Sequence, residues 1–205
     1  VTKELAAVSS QPLCALINTS IRHGIVDLPV QWKVSRIIPI PKTIPPVNIE
    51  SDLRPIAVTS TFAKIAEKCV NQFFNDHFFS LQDDNQFGST VGRSTTLALL
   101  KLSHYLFTAS DCSDNFIRVL FIDFTKAFDL VSHNILLDKY EQYDFPPHVT
   151  IWSLDFLRNR LQYVSVGDGL SSCAFSNAGT PQGTLSGPNN FKLLINDLCF
   201  QLQYA

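Results

Sequence analysis

Methionine is missing from all 205 residues, the first included, so the natural start of translation is expected upstream of Val1. Cysteine is sparse: Cys14, Cys69, Cys112, Cys173 and Cys199 are odd in number and form no Cys-x-x-Cys pair. That spacing offers neither a disulfide framework nor a thiolate zinc site, and a reducing compartment suits it best. No apolar run approaches the roughly 20 residues of a membrane span, and the N-terminus has no basic-then-apolar signal layout. Neither G-x-x-x-x-G-K-[ST] nor G-x-G-x-x-G occurs, so the common nucleotide loops are excluded. Charged residues make up only 17% while hydrophobic ones reach 45%, which excludes a disordered chain and predicts a packed core.

What charge there is lies unevenly. The net charge of −2 argues against nucleic-acid binding as a property of the whole chain. Residues 22–68, however, hold seven Lys and Arg against four Asp and Glu, whereas residues 69–205 hold eight against thirteen. A basic first third before an acidic remainder suits a phosphate-holding surface beside a carboxylate metal site. A scatter of solvated charge would give the same counts.

Apolar periodicity predicts a helix over 5–22, interrupted at Pro12 and ended by Gly24. The β-branched run from Val34 to Ile40 reads as a strand, with Pro39 placing it at an edge or bulge. Residues 43–50, with Pro45-Pro46, read as a loop, and 53–58 as a second strand. Phe62, Ile65, Ala66, Cys69, Val70, Phe73 and Phe74 fall at helical spacing and predict a helix over 61–80. Residues 83–93 read as a loop. Ser94 is placed to cap a helix over 95–107, and residues 111–115 form another loop. Val119 to Ile122 reads as a buried strand, followed by helices over about 126–142 and 148–160. Residues 162–166 and 172–175 read as a strand pair turned at Gly167-Asp168-Gly169. A glycine-bearing loop over 179–187 leads into a last helix, about 188–200.

Asp123 is the sharpest candidate. A carboxylate at the carboxyl end of a buried strand stands where ligands of α/β folds collect, and with a backbone carbonyl and substrate phosphates it can hold Mg²⁺. Equally, it reads as the N-cap of the following helix. Phe128 would flank whatever the metal holds, or simply fill the core, and on pattern alone the core reading leads. Asp129 reads as a solvated helix charge before a second acid, and His133 as a hydrogen-bonded structural histidine before a base. The loop Gly179-Thr180-Pro181-Gln182-Gly183 allows close backbone approach, and Gln182 offers both donor and acceptor. Lys42 and Arg54, at the ends of adjacent strands, could grip a triphosphate, although each alone reads as surface charge.

Order and wording together say more than any of these residues singly. Ile38-Pro39-Ile40-Pro41-Lys42, Leu53-Arg54-Pro55-Ile56, and Gln86-Phe87-Gly88 with Gly92-Arg93-Ser94-Thr95 resemble the fingers of LINE-type (non-LTR retrotransposon) reverse transcriptases. Phe121-Ile122-Asp123-Phe124-Thr125-Lys126-Ala127-Phe128-Asp129, then His133, resembles their first catalytic motif. Gly179-Thr180-Pro181-Gln182-Gly183 through Gly187-Pro188, then Ile195-Asn196-Asp197-Leu198, is similar to their template and nucleotide loop. The segment from Pro12 to Lys33 is similar to the extension before the fingers. Two departures stand out: Ser89-Thr90 replaces a usual Phe-Arg, and Asn189-Asn190-Phe191 replaces a usual apolar run.

The resemblance implies an α+β right-hand polymerase fold. An N-terminal extension and fingers would occupy residues 1–115. A partial palm would occupy 116–205, an antiparallel sheet with helices packed on one face. It implies RNA-directed DNA synthesis from an RNA template, a DNA primer and dNTPs, inside the cell and without a membrane. Asp123 would bind both catalytic Mg²⁺ ions, aided by the Phe124 carbonyl. Phe128 would reject a ribose 2′-hydroxyl, Lys42 and Arg54 would contact the triphosphate, and Gln182 and Gly183 would line the nucleotide and template pocket. The family's paired Asp is expected beyond Ala205, so residues 1–205 alone are expected to be inactive. A non-catalytic nucleic-acid-binding remnant is the alternative; an unrelated Mg²⁺ phosphotransferase leaves the Pro-Gln-Gly loop unexplained.

Overall fold

The computed structural model describes residues 2–22, 28–111 and 116–198, with side chains from residue 8 onward. Its elements are α1 (Thr2–Arg22), β1 (Val34–Pro41), α2 (Ile49–Asp52), β2 (Leu53–Thr59), α3 (Thr61–Phe78), α4 (Thr95–Ser110), α5 (His133–Gln142), α6 (Pro147–Leu157), β3 (Arg160–Val166), β4 (Gly169–Leu170), β5 (Ala174–Ser176) and α7 (Ser186–Ile195). The fold is α+β, with helices and sheet drawn from both halves of the chain.

The core is helix on helix. Ile17 and Ile21 of α1, Ala66, Val70, Phe74 and Phe78 of α3, Leu136 and Tyr140 of α5, Trp152 and Phe156 of α6 and Leu193 of α7 share one buried cluster. Aromatic rings organise its centre: Phe74 stacks on Phe145 at 4.9 Å and meets Tyr140 edge-on at 6.0 Å. The rings pack offset or edge-to-face because their quadrupoles repel in a face-to-face sandwich. At the border, the Lys33 ammonium meets the Asp155 carboxylate at 2.5 Å, and the other Asp155 oxygen accepts the Leu28 amide.

The sheet runs in the order β2-β1-β3-β4, with β5 also paired to β3; β1 and β3 run parallel and the other pairs antiparallel. Pro39 lies opposite Pro55, two residues past the last β1–β3 pair at Ile37 and Val164. Ala57, of the same parity as Pro55, sends its amide outward to the Gln182 carbonyl. The two prolines therefore occupy positions where no N–H is required between β1 and β2. Of the large apolar side chains on this sheet only Ile37 is buried, and Ile37, Leu53, Val164 and Val166 line a cleft.

Several expectations need correction. Helix α1 runs through Pro12 without a break; Gly24 lies outside the described residues. The buried face of α3 carries Ala63, Glu67 and Asn71 besides Ala66, Val70, Phe74 and Phe78, while Phe62 and Phe73 are each 50% exposed and Cys69 faces outward. Counting only apolar residues misphased that face, because polar side chains with buried partners occupy it. Residues 119–122 form no strand, and Phe121 is 81% exposed. A strand exists only where a neighbour takes its amides and carbonyls, and among the described residues none does. Nor does a helix start near 126: residues 125–130 are turns, and Lys126 adopts φ +54°.

Other local signals carried through. Ser94 Oγ accepts the Leu97 amide and caps α4, as its position ahead of the helix suggests. The two asparagines after Pro188 find buried partners, Asn189 donating to Asn71 and Asn190 accepting from Tyr140. Hydrogen bonds thus stand where the usual apolar run would, although the Asn190 and Asn71 side-chain nitrogens have no partner among the described residues.

Truncating Phe74, 2% exposed, removes the ring that touches three other aromatics. Phe74→Ala is expected to cost about 3–5 kcal/mol in chemical denaturation, whereas Phe73→Ala on the exposed side should cost under about 1 kcal/mol.

Candidate functional site

The loop that joins β5 to α7 is built by its glycines. Gly179 adopts φ +76°, and a Cβ there would lie 2.7–2.8 Å from the carbonyl oxygens of Asp129 and Phe128. Only glycine fits so close to another backbone. The approach is used at once: Gly179 N–H donates to the Val131 carbonyl at 2.9 Å and Thr180 N–H to the Phe128 carbonyl at 2.7 Å. His133 closes the same corner through its Nε2, 2.8 Å from the Gly179 oxygen, and is 7% exposed. That geometry is the structural role expected of this histidine.

Gly183, at φ +100°, repeats the device against β2. A Cβ there would meet the Ala57 oxygen and the Ile56 side chain at 3.3 Å. Between the two glycines, the Gln182 carbonyl accepts the Ala57 amide at 2.7 Å. Its side-chain amide donates to the Asp129 carboxylate at 2.9 Å. Asp129 is thus an exposed charge, as expected, but it stands in a turn and not in a helix, and it accepts from Gln182. Sequence reasoning misses this because the two residues are 53 positions apart and the chain from about residue 126 reads as helix.

Loop, sheet and turn enclose a cleft of about 1100 Å³. Lys42, Arg54, Asp123, Phe124, Phe128 and Gln182 all line it. Gly183 does not, but it sets the path of the backbone beside it. Asp123 is exposed and open to the cleft, and is neither walled in by apolar groups nor the N-cap of a helix. Phe128 is half-buried with its ring 5.5 Å from Phe191, and Phe124 meets the same ring edge-on at 5.5 Å. Phe191 of α7 therefore braces both aromatics behind the cleft, a support with no mark in the local sequence.

Lys42 is held on its own loop. Its backbone amide donates to the Asp52 carbonyl at 2.7 Å and its ammonium to the Ser51 carbonyl at 2.7 Å. The Asp52 carboxyl ties this loop together. The Asn48 amide, the Ser51 hydroxyl and the Val47 amide hold its pKa down at about 2.

A second cavity of about 330 Å³ lies behind Gln182 and shares Asp129, Ile37, Pro55 and Val164 with the first. Arg160, 4% exposed, is in its wall. Its guanidinium donates to the Phe156 carbonyl and the Ser35 hydroxyl and covers the Phe156 ring at 4.5 Å. Burial lowers the Arg160 pKa to about 10, with the Glu67 carboxylate acting in the opposite sense.

For a metal the donor set is small. Among the described residues no group of three or more His, Cys, Asp or Glu is placed to hold one. Asp123 and its neighbour Phe124 bring one carboxylate and one carbonyl oxygen to the cleft, so an ion there would need further oxygen ligands, such as those Mg²⁺ has on a triphosphate.

Comparison with known proteins accords with this arrangement. The profile of the family described as "Reverse transcriptase (RNA-dependent DNA polymerase)" matches residues 40–205. The "Probable RNA-directed DNA polymerase from transposon BS" of Drosophila melanogaster is 30% identical, over 94% of this chain and 22% of its own length. The "RNA-directed DNA polymerase from mobile element jockey" of the same fly is 29% identical, over 92% of this chain and 20% of its own. A "Retrovirus-related Pol polyprotein from type-1 retrotransposable element R1" of Bradysia coprophila is 25% identical, over 86% and 17%. The chain thus spans about a fifth of the length of these relatives. With its motifs gathered on one cleft and the family profile matching most of its length, this chain belongs to the reverse transcriptases of the non-LTR retrotransposon type.

Proposed function

We propose that the cleft binds an incoming deoxynucleoside triphosphate opposite an RNA template, and that the protein at its full natural length is an RNA-directed DNA polymerase working inside the cell. The observation that carries this reading is the convergence of Asp123, Gln182, Lys42 and Arg54 on one cleft from four separate stretches of chain. Residues 1–115 would serve as extension and fingers and 116–205 as part of the palm.

Each residue has a task that its position suits. The ammonium of Lys42 and the forked guanidinium of Arg54 neutralise the triphosphate, Arg54 by paired hydrogen bonds. The Asp123 carboxylate and the Phe124 carbonyl would hold Mg²⁺. Bound there, the metal supplies stabilisation of the charge that builds up as the primer 3′-hydroxyl attacks the α-phosphate and pyrophosphate leaves. Phe128, backed by Phe191, presents its ring to the sugar, where a 2′-hydroxyl would collide. Gln182 and Gly183 line the pocket for base and template, with Gln182 aimed by Asp129.

Of the acids that line the cleft, Asp129 is engaged by Gln182, and Glu50 lies at the Lys42 end, on the same short helix as Asp52. Asp123 is the one carboxylate this reading gives to the metals, and one carboxylate cannot offset the mutual repulsion of two magnesium ions. Residues 1–205 alone are therefore expected to give no primer extension with Mg²⁺ and dNTPs. The full-length protein is expected to extend, and to lose at least about 10³-fold in kcat on Asp123→Asn, read by single-turnover extension on an RNA template. Extension by residues 1–205 would overturn the two-metal part of the proposal.

Phe128→Ala is expected to leave dNTP incorporation within about tenfold while raising ribonucleotide incorporation, cutting dNTP/NTP selectivity by about 100-fold or more. Competition between dCTP and CTP measures it.

The same scarcity of carboxylates favours a second reading, a nucleic-acid-binding remnant without catalysis. It expects RNA binding by residues 1–205 that weakens with salt, is lost on Lys42→Ala and ignores Mg²⁺. Filter binding with and without Mg²⁺ separates the two readings.

A further inference from the structure

Glu67 is the most deeply buried charged side chain of the described structure, with 0% exposure, and nothing in the reaction above uses it. Its Oε1 accepts the backbone amide of Ser186 at 2.8 Å and the Ser186 hydroxyl at 2.6 Å. Ser186 is the first residue of α7, so a carboxylate from α3, 119 positions away, caps that helix. The first turn of a helix has amides without partners and a positive dipole end, and a buried carboxylate satisfies both. Its second oxygen has no hydrogen-bond partner among the described residues. A charge buried in this way is costly unless the field around it is positive. Two sources of such a field are present, the α7 N-terminus and the buried Arg160, which interacts electrostatically with Glu67.

Ser186 ends the loop that carries Gln182. Upstream, the loop is tied by Gly179 and Thr180 to the 128–131 turn, and at its middle by Gln182 to Ala57. The Glu67–Ser186 contact is the third tie, and it faces the helical core. No capping hydrogen bond comes from Leu185, the residue that precedes the helix. Without Glu67 the helix start would therefore lose its side-chain acceptor, and the loop would be held at one end and its middle only.

We propose that Glu67 is a positioning residue for nucleotide binding: by capping α7 from α3 it sets the pose of Gln182 and Gly183 at the cleft. This rests on the polymerase reading above. A neutral side chain of the same shape keeps an acceptor for Ser186, whereas a methyl does not.

Three variants of the full-length protein test it in steady-state primer extension on an RNA template, with Asp123→Asn as control. Glu67→Ala is expected to raise the KM for dNTP about tenfold with kcat held within about threefold, and Glu67→Gln to recover KM to within about threefold. Ser186→Ala, which keeps the backbone amide but removes the hydroxyl, should fall between them and serves if Glu67→Ala does not fold. Hydrogen exchange of amides 182–187 should quicken in the order Glu67→Gln, Ser186→Ala, Glu67→Ala.

Unchanged dNTP KM in Glu67→Ala and Ser186→Ala, with the control inactive, overturns the positioning role and leaves the polymerase reading standing. Equal loss of KM and kcat in Glu67→Ala and Glu67→Gln also overturns it, since a general loss of fold would act that way. An Asp123→Asn control as active as the parent protein sinks the polymerase reading itself, whatever Glu67 does.

Discussion

A backbone hydrogen bond, Ala57 N–H to the Gln182 carbonyl at 2.7 Å, joins the two parts from which the cleft is made. On one side is a small sheet that buries little of its surface. On the other is a helical core with its own aromatic centre. The bond requires Gly183 to lie within van der Waals reach of β2 and Gly179 to lie against the carbonyls of residues 128 and 129. With those contacts made, Lys42 and Arg54 from the sheet face Asp123 and Phe128 from the turn. Without the bond, the loop that carries Gln182 would lose its backbone tie to β2, the strand that carries Arg54.

Stability and chemistry are separated in this arrangement. The buried apolar cluster takes in five helices and contains none of the cleft-lining residues; Phe191, packed against it, is the aromatic link to Phe124 and Phe128. The cleft is held by polar ties: Gln182 to Asp129, His133 to Gly179, Ser186 to Glu67. Hydrogen bonds fix direction where apolar contact fixes only proximity. That division leaves a cleft floor open to substrate and a loop whose pose is set from three sides.

Motifs were the most legible part of the site. Asp123, Phe128, Lys42, Arg54 and Gln182 were nameable from their wording and order, and all of them meet at the cleft. Their supports were not. Phe191 braces Phe124 and Phe128, Asp129 aims Gln182, and Glu67 caps α7, all across long stretches of chain. Such partners have no local signature: a buried glutamate in a helix reads as a solvated one until the helix beside it is known. The same blindness misphased the face of α3, where Glu67 and Asn71 turn inward because Ser186 and Asn189 await them.

The sequence by itself determined the local elements whose causes are local. The β-branched run became β1, Ser94 capped α4, Pro147 began α6, and two glycines marked the loop that needs positive φ. Motif order identified the family. What only the tertiary structure decided is pairing over distance. Residues 119–122 have every apolar mark of a strand and remain outside the sheet, because a strand depends on a neighbour's hydrogen bonds and not on its own residues. Burial of Glu67, bracing by Phe191 and the union of sheet and loop at Ala57 have the same origin: each is a property of two segments at once, and no single segment encodes it.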